Sequence, residues 1–278
     1  MASRPLGIFD SGIGGLSILR EIRTRLPGHD LIYFADQVHV PYGPRPLNQV
    51  RLFSEGITRF LLDQGAGLIV VACNTASAAA LRPLRQVFPT VRFIGMEPAV
   101  KPAAQTTETR VLGVLATPAT FQGELYASVV ERFAQGVRVI NQTVPGLVER
   151  IEAGDLTGSE TVRLLREALA PLLAEGADTL VLACTHYPFV IPTITEIAGP
   201  SVRVIDPTPA IARQVERVLG EIGLAAARSR PGQLRLITSG DPGQLRQMAE
   251  KLMGEQAPAE RAVWDENRLT RVDPASEH

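Results

Sequence analysis

The chain has 278 residues, of which 45% are hydrophobic and 21% are charged. This length and composition are typical of a globular protein with two domains and exclude an intrinsically disordered chain. The formal net charge is -1, so the chain has no overall basic field of the kind that attracts nucleic acid or acidic membranes.

The residues before the first predicted strand lack the long apolar core of a signal peptide, and no apolar run approaches the length that crosses a bilayer. We therefore expect a cytoplasmic protein. The chain has 2 cysteines, and a structural disulfide is not expected in a reducing compartment. Only Cys184 and His186 are close in sequence among the Cys and His residues, so no metal site is predicted.

Short apolar runs rich in β-branched residues alternate with longer amphipathic stretches. The predicted strands are Leu6–Phe9, Asp30–Phe34, Leu68–Ala72, Val91–Gly95, Arg110–Leu115, Val137–Asn141, Thr179–Ala183, Val202–Ile205 and Leu234–Ile237. The predicted helices are Leu16–Arg25, Leu47–Gln64, Ala76–Val87, Thr120–Phe133, Ser159–Leu173 and Ala210–Leu219. This alternation predicts βαβ units and mostly parallel sheets, in which ligands bind beyond the carboxyl ends of the strands.

The sequence also repeats itself loosely. Leu68–Thr75 resembles Leu180–His186, and Gly7–Ser11 resembles Gly113–Thr117 at a comparable separation. The fold class is therefore predicted to be α/β, with two similar lobes, each a mostly parallel sheet flanked by helices. We expect the active site to lie in the cleft between the lobes, and we hypothesise that the two cysteines meet there.

The turn-rich segments that follow the fourth and eighth predicted strands suggest the domain boundaries. The first lobe is expected to comprise residues 1–97 and 209–254, and the second lobe residues 98–208. Residues 255–278 are polar and charged, and they are predicted to form a mobile C-terminal tail.

Cys73 ends an apolar strand and precedes a predicted alanine-rich helix. The positive end of a helix dipole favours a thiolate, so the thiol pKa is expected below the ordinary value of about 8.5. Asn74, Thr75 and the neighbouring backbone N–H groups are suited to holding a carboxylate. The alternative is that Cys73 is a buried cysteine acting as a small apolar side chain.

Cys184 ends a similar strand and is followed by Thr185 and His186. Core packing gives no reason for both cysteines to occupy equivalent positions, which favours a functional role for both. His186 is predicted to tune the Cys184 thiol or to move its proton. The alternative for His186 is a hydrogen-bonded structural histidine.

The glycine-rich turn Asp10–Gly15 follows the first strand, but it matches neither a dinucleotide fingerprint nor a Walker loop. The Asp10 carboxylate would repel a phosphate and is better suited to an ammonium group or to orienting a thiol. After the second strand, Pro41–Gly43 forms a stiff turn that is as compatible with a structural role as with ligand binding.

Together these segments resemble glutamate racemase, a family of the aspartate/glutamate racemase superfamily. The matching segments span most of the chain and are Phe9–Leu16, Tyr33–Asp36, Pro41–Gly43, Ala72–Ala76, Gly113–Thr117 and Ala183–Pro188. The cysteine segments are shared across the superfamily, whereas the Asp-Ser-Gly and Pro-Tyr-Gly segments are more specific for glutamate. Where family members often have Cys-Pro, this chain has Val144-Pro145, and the glutamate that falls in place is Glu152, with Glu149 one helical turn earlier.

The resemblance implies a two-base reaction in which one cysteine removes the α-proton and the other protonates the opposite face. Cys73 would act on D-glutamate with help from Asp10. Cys184 would act on L-glutamate with help from His186 and Glu152. The substrate-binding residues that the resemblance implies are Asp10, Ser11, Pro41, Tyr42, Gly43, Cys73, Asn74, Thr75, Thr117, Thr185 and His186.

The resemblance further implies an isomerase without a cofactor that supplies D-glutamate for peptidoglycan synthesis. Its expected partner is the small-molecule substrate, with no nucleic acid and no membrane, and a homodimer is left open. Three alternatives remain: a racemase for aspartate or a related acid, a two-lobed binding protein for an acidic ligand, and a thiol redox protein. The last is disfavoured because no Cys-x-x-Cys pair is present.

Overall fold

Two mostly parallel sheets form the framework of the protein. A computed structural model describes residues 4–224 and 231–272. The strands are β1 (Leu6–Asp10), β2 (Leu31–Ala35), β3 (Leu68–Val71), β4 (Arg92–Gly95), β5 (Val111–Ala116), β6 (Arg138–Gln142), β7 (Thr179–Ala183), β8 (Arg203–Ile205), β9 (Leu234–Thr238), β10 (Ala259–Asp265) and β11 (Arg268–Arg271).

The helices pack on the faces of these sheets. They are α1 (Leu16–Arg25), α2 (Leu47–Asp63), α3 (Asn74–Val87), α4 (Val100–Thr106), α5 (Pro118–Gln122), α6 (Glu124–Phe133), α7 (Leu147–Glu152), α8 (Ser159–Ala174), α9 (Ile191–Ala198), α10 (Thr208–Glu221) and α11 (Pro242–Met253), with a short 3-10 helix at Tyr187–Val190. None of the described helices is long and apolar enough to cross a membrane.

The strand order reveals two related halves. Within the described residues, the first sheet has the order β11-β10-β9-β2-β1-β3-β4 and the second has β6-β5-β7-β8. The segment β2-β1-β3-β4 is therefore equivalent to β6-β5-β7-β8, and all pairs in both segments are parallel. This confirms the predicted α/β fold of two related lobes, and it explains the sequence repeat because β1 corresponds to β5 and β3 to β7.

The central strands form because their apolar runs are covered on both faces. Every residue of β1, β2, β3 and β7 is buried. In the first lobe α1 packs against α10 and α2 packs against α3. Two-sided burial explains why these strands are continuous apolar runs rather than alternating ones. It also fixes the position of the polar residues that follow the strands.

The prediction of a mobile tail at residues 255–278 is wrong for most of that segment. β10 pairs with β9 in parallel, and β11 returns beside it as the antiparallel edge of the first sheet. Ala262 and Leu269 are buried in the core beneath these strands. These strands carry charged side chains on their exposed face, so the segment looks polar in the sequence. Such charges are common on strands near the edge of a sheet, where they prevent pairing with another chain. Residues 273–278 lie outside the described part of the chain.

The structure also differs from the predicted helices in detail. The helix predicted at Thr120–Phe133 is two helices, α5 and α6, which meet at Gly123. A Cβ added at Gly123 would lie 2.6 Å from Cβ of Ala78 on α3. A glycine therefore allows the second lobe to approach α3 closely at this junction. Among the α-helices in the described residues, four were not predicted, namely α4, α7, α9 and α11.

Candidate active site

Cys73 and Cys184 line one small pocket between the carboxyl ends of β3 and β7. Both are buried free thiols. The pocket walls are formed by Ser11, Pro41, Tyr42, Gly43, Cys73, Asn74, Thr75, Thr117, Val148, Cys184, Thr185 and His186. All the predicted binding residues line this pocket except Asp10. Val148 also lines the pocket and was not predicted.

The pocket is small. Its volume of about 10 Å³ has room for roughly one water molecule. An amino acid is much larger, so binding one requires the two lobes or the lining side chains to move apart. A wider groove, lined in part by Met96, Lys101 and Arg213, lies elsewhere between the lobes. It contains neither cysteine, so the chemistry is assigned to the small pocket.

Cys73 caps the amino end of α3. Its sulfur accepts a hydrogen bond from the Ala76 N–H at 3.4 Å, and its thiol lies 3.9 Å from Oγ of Ser11. Burial raises the pKa of the Cys73 thiol well above its ordinary value, the nearby Asp10 carboxyl raises it further, and the Ala76 N–H only partly opposes them. The prediction of a lowered thiol pKa is therefore wrong, because the loss of solvation and the Asp10 charge outweigh the hydrogen bond from the Ala76 N–H at the start of the helix.

Asp10 lies fully buried at the end of β1. Its Oδ2 accepts the Gly15 N–H at 2.8 Å, and its Oδ1 lies 3.4 Å from the Thr185 hydroxyl. Burial raises the pKa of Asp10, while the positive charge of His186 lowers it. The carboxyl group is thus placed beside Cys73 and also contacts the segment that follows Cys184.

His186 connects Cys184 to Glu152. Nδ1 of His186 lies 3.8 Å from the Cys184 sulfur, and Nε2 lies 2.6 Å from Oε1 of Glu152. Burial lowers the pKa of His186, but its hydrogen bonds to Cys184 and Glu152 outweigh this and raise the pKa well above its ordinary value. A protonated ring can donate to both partners at once. Glu149, the other glutamate considered for this role, is exposed.

Glycines in the Asp10–Gly15 turn allow the second lobe to approach. A Cβ added at Gly12 would overlap with the carboxylate of Glu152, and one at Gly14 would lie 2.5 Å from Nδ1 of His186. The turn is held in place by the Tyr33 hydroxyl, which donates to the Gly12 carbonyl at 2.6 Å. The physical reason for Gly12 and Gly14 is therefore close contact with the side chains of Glu152 and His186 in the other lobe.

Three threonine hydroxyls form a second contact between the lobes beside the pocket. Oγ1 of Thr117 lies 2.8 Å from Oγ1 of Thr75 and 2.9 Å from Oγ1 of Thr120. Gly43 packs against Thr117, where an added Cβ would lie 2.9 Å from Cβ of the threonine. Thr120 was predicted only as the first residue of a helix, and only packing shows that it belongs to this cluster.

The Asn74 side chain is buried, yet neither atom of its amide has a hydrogen-bond partner among the described residues. Buried amides are normally paired, because an unpaired one loses its hydration without compensation. Asn74 lines the pocket, so a polar ligand there would supply the missing partner. Among residues 4–224 and 231–272, no group of three or more His, Cys, Asp or Glu side chains is placed to hold a metal ion.

Comparison with known proteins identifies the family. Residues 16–215 match the Asp/Glu/Hydantoin racemase family. The chain belongs to this family. The match extends from α1 into α10 and so includes the segments that carry both cysteines, Glu152 and His186.

Relatives in the family are similar over nearly the whole chain. A glutamate racemase from Roseiflexus sp. (strain RS-1) is 48% identical over 252 residues, which cover 90% of this chain and 93% of the relative. The crystal structure of a glutamate racemase from Bacillus anthracis has a TM-score of 0.86 at 29% identity and covers 95% of this chain and 98% of that one. A glutamate racemase from Francisella tularensis, solved in complex with D-glutamate, has a TM-score of 0.82 at 28% identity over 95% of this chain and 98% of that one.

Proposed function

We propose that the chain is a glutamate racemase, an isomerase that interconverts L- and D-glutamate with two thiols and no cofactor. The observation that carries the proposal is the pair of thiols in one pocket, each with its own acid–base partner. Asp10 stands beside Cys73, and the His186–Glu152 pair stands beside Cys184. A protein that only binds an acidic ligand has no need of two such pairs, and relatives named glutamate racemase support the choice of substrate.

In the direction from L- to D-glutamate, the Cys184 thiolate removes the α-proton. The Cys73 thiol then donates its proton to the opposite face of the α-carbon, which inverts the configuration. The raised pKa of Cys73 suits this donor role because the group is a thiol when substrate arrives. After the reaction Cys184 holds the proton that it removed, and Cys73 is a thiolate. The starting state is restored when Cys184 loses that proton to solvent and the protonated Asp10 carboxyl, whose pKa is raised by burial, returns one to Cys73 and is then reprotonated from solvent.

The reverse direction exchanges the two roles. Cys73 must first lose its proton, and the buried Asp10 carboxylate is the acceptor beside it. Cys184 then acts as the acid, with protonated His186 maintaining its supply of protons. Two bases of the same chemical type suit a reaction whose substrates are mirror images.

The α-proton of an amino acid is far less acidic than a thiol, so the site must stabilise the carbanion. The N–H groups at the amino end of α3 and the Thr75, Thr117 and Thr185 hydroxyls provide fixed dipoles in a buried pocket. Such groups are effective because they are already oriented and because water is excluded. We also assign substrate binding to five other residues that line this pocket, namely Ser11, Pro41, Tyr42, Gly43 and Asn74.

The proposal includes a location and a cellular role. We propose that the enzyme is cytoplasmic and that its product, D-glutamate, is used in peptidoglycan synthesis. A homodimer stays a prediction. A racemase for aspartate or a related acid is the alternative within the family, and a test with both substrates distinguishes the two.

The experiment is a chiral analysis of L-glutamate incubated in D2O with the purified protein and no added cofactor. We expect D-glutamate that carries deuterium at the α-carbon. The Cys73→Ala and Cys184→Ala variants, shown to be folded by circular dichroism, should produce none. A folded wild-type sample that neither inverts nor exchanges glutamate would overturn the assignment, and aspartate would then be tested.

A further inference from the structure

Asp36 is a fully buried carboxylate that accepts four side-chain hydrogen bonds at the carboxyl end of β2. Its Oδ2 accepts from the Tyr42 hydroxyl at 2.6 Å and from Nδ1 of His39 at 2.9 Å. Its Oδ1 accepts from the Ser239 hydroxyl at 2.8 Å and from Nε1 of Trp264 at 2.7 Å. A carboxylate offers no proton, so His39 carries its proton on Nδ1.

Adjacent strands bring these donors together. β2, β9 and β10 are neighbours in the first sheet and run parallel. Asp36 follows β2 and Ser239 follows β9, while Trp264 lies near the end of β10. Strand β10 therefore contacts the interior of the lobe through Trp264, in addition to its pairing with β9 and β11.

The Asp36 carboxylate also holds a wall of the pocket. Burial and the nearby Asp36 raise the pKa of Tyr42 well above its ordinary value, so its hydroxyl stays neutral and donates. Tyr42 lines the pocket together with its neighbours Pro41 and Gly43. The Gly43 carbonyl accepts the Ala119 N–H of the second lobe at 3.2 Å, so this loop meets both lobes.

We propose that Trp264 is a positioning residue for substrate binding. By donating to Asp36 it fixes the carboxylate that holds Tyr42, and so it sets the position of the Pro41–Gly43 wall. The inference rests on the proposed racemase function. Hydrogen bonds to a charged group are shorter and stronger than neutral ones, which gives the contact enough energy to orient a loop.

A purely structural role for Trp264 must be separated from this one. Its ring packs on Phe53, with the ring centroids 5.8 Å apart, and lies close to Gly56 of α2. The variant Trp264→Phe keeps an aromatic ring and removes the donor to Asp36, together with part of the indole that lies against Gly56. The matched control is Arg271→Gln, which breaks an ion pair with Glu260 in the same two strands and does not reach Asp36.

The first measurement separates KM from kcat in the racemisation of both enantiomers. For Trp264→Phe we expect KM to rise at least about threefold while kcat changes less than about twofold, since a hydrogen bond to a charged group contributes about tenfold or more to an equilibrium. Arg271→Gln should keep the wild-type values. An unchanged KM in Trp264→Phe, or the same rise in both variants, would overturn the inference.

The second measurement needs no substitution at position 264. The chain has 1 tryptophan, so intrinsic tryptophan emission reports on Trp264 alone. We would titrate Cys73→Ser, inactive under the proposed function, with D-glutamate and follow emission beside calorimetry. We expect emission to change with the same midpoint as the heat of binding. Binding without any change in emission overturns this inference alone, whereas wild-type protein that neither binds nor racemises glutamate overturns the proposed function and the inference with it.

Discussion

Oε1 of Glu152 lies 2.6 Å from Nε2 of His186, and it is held there by the first lobe. The same oxygen accepts the backbone N–H of Ile13 at 2.7 Å, on the turn that follows β1. Glu152 and His186 belong to the second lobe, so their geometry is completed by a contact across the cleft. This contact couples the His186–Glu152 pair, to which we assign the acid–base role beside Cys184, to the closure of the two lobes.

Glu152→Gln tests that coupling. The amide keeps the shape but removes the negative charge that helps to raise the pKa of His186, so that pKa should fall. We expect kcat from L- to D-glutamate to fall about tenfold or more, as is usual when general acid–base catalysis is impaired. The alkaline limb of the pH–rate profile should move to lower pH. The exposed Glu149→Gln is the control, and a shared effect in both variants would contradict the role of Glu152.

The same variant has a predicted effect on stability. A folded-state pKa above the unfolded value means that the His186 pairing stabilises the fold fully below pH 6.5, and that this contribution is lost as pH rises through the folded pKa. Glu152→Gln should therefore lower the free energy of unfolding more at pH 6 than at high pH. Urea denaturation at several pH values measures this, and a penalty that grows with pH would contradict it.

Gly12→Ala tests whether close approach explains the glycine-rich turn. The added methyl group would overlap with the Glu152 carboxylate, so the lobes could not close around the pocket. We expect kcat/KM to fall about a hundredfold, because a displacement of about 1 Å at an active site has effects of this size. Steady-state kinetics in both directions measure it.

The control for that substitution is Gly220→Ala. Nothing lies within 4 Å of a Cβ added at Gly220, which is in α10. This variant should keep full activity and gain roughly 0.5–1 kcal/mol of stability, because alanine loses less conformational entropy than glycine in a helix. Wild-type activity in Gly12→Ala would show that the close contact with Glu152 is not needed.

Much of the framework could be predicted from the sequence because it depends on local pattern. Strands covered on both faces leave short, continuous apolar runs, so β1, β3, β5 and β7 were predicted to within about a residue or two at each end. The repeat then indicated that Cys73 and Cys184 occupy equivalent positions. Their placement in one pocket follows from the equivalent strand orders of the two sheets.

Features that depend on distant contacts could not be predicted. Asp36 and Trp264 are 228 residues apart, and no local pattern links them. The segment that forms β10 and β11 resembles a polar tail in sequence because these outer strands carry charged side chains on their exposed face. The sequence indicated a helix dipole at Cys73 and left a buried cysteine as the alternative, but only the packing shows that burial and the Asp10 carboxyl together raise its pKa.

Asn74→Ala should separate stability from binding. The amide is buried without a partner among the described residues, so its removal relieves a desolvation cost that offsets the lost packing. We expect the thermal midpoint to stay within about 2 °C of wild type, since the net change in free energy is small. KM for glutamate should rise about tenfold or more, as expected for a lost polar contact to a charged ligand. A clear loss of stability with an unchanged KM would assign Asn74 a structural role instead.

Asp178→Asn tests a contact remote from the pocket that holds the start of β5 against β7. Partial burial raises the pKa of Asp178, but hydrogen bonds from the Thr107 hydroxyl, the Thr109 and Glu108 N–H groups and the Thr179 hydroxyl outweigh it and lower the pKa from 3.8 to about 2. A lowered folded-state pKa stabilises the fold above pH 3.8, and this contribution is lost as pH falls through about 2.

The asparagine variant should therefore be about 1 kcal/mol less stable than wild type at pH 7, a value reduced from the full shift because the group is partly exposed. The difference should shrink as pH approaches 2. Glu175→Gln is the control, because it removes only a surface ion pair with Arg138 and should change stability little at either pH. Denaturation with urea at pH 7 and near pH 2 gives the comparison, and a penalty that is the same at both values would show that the Asp178 charge does not act in this way.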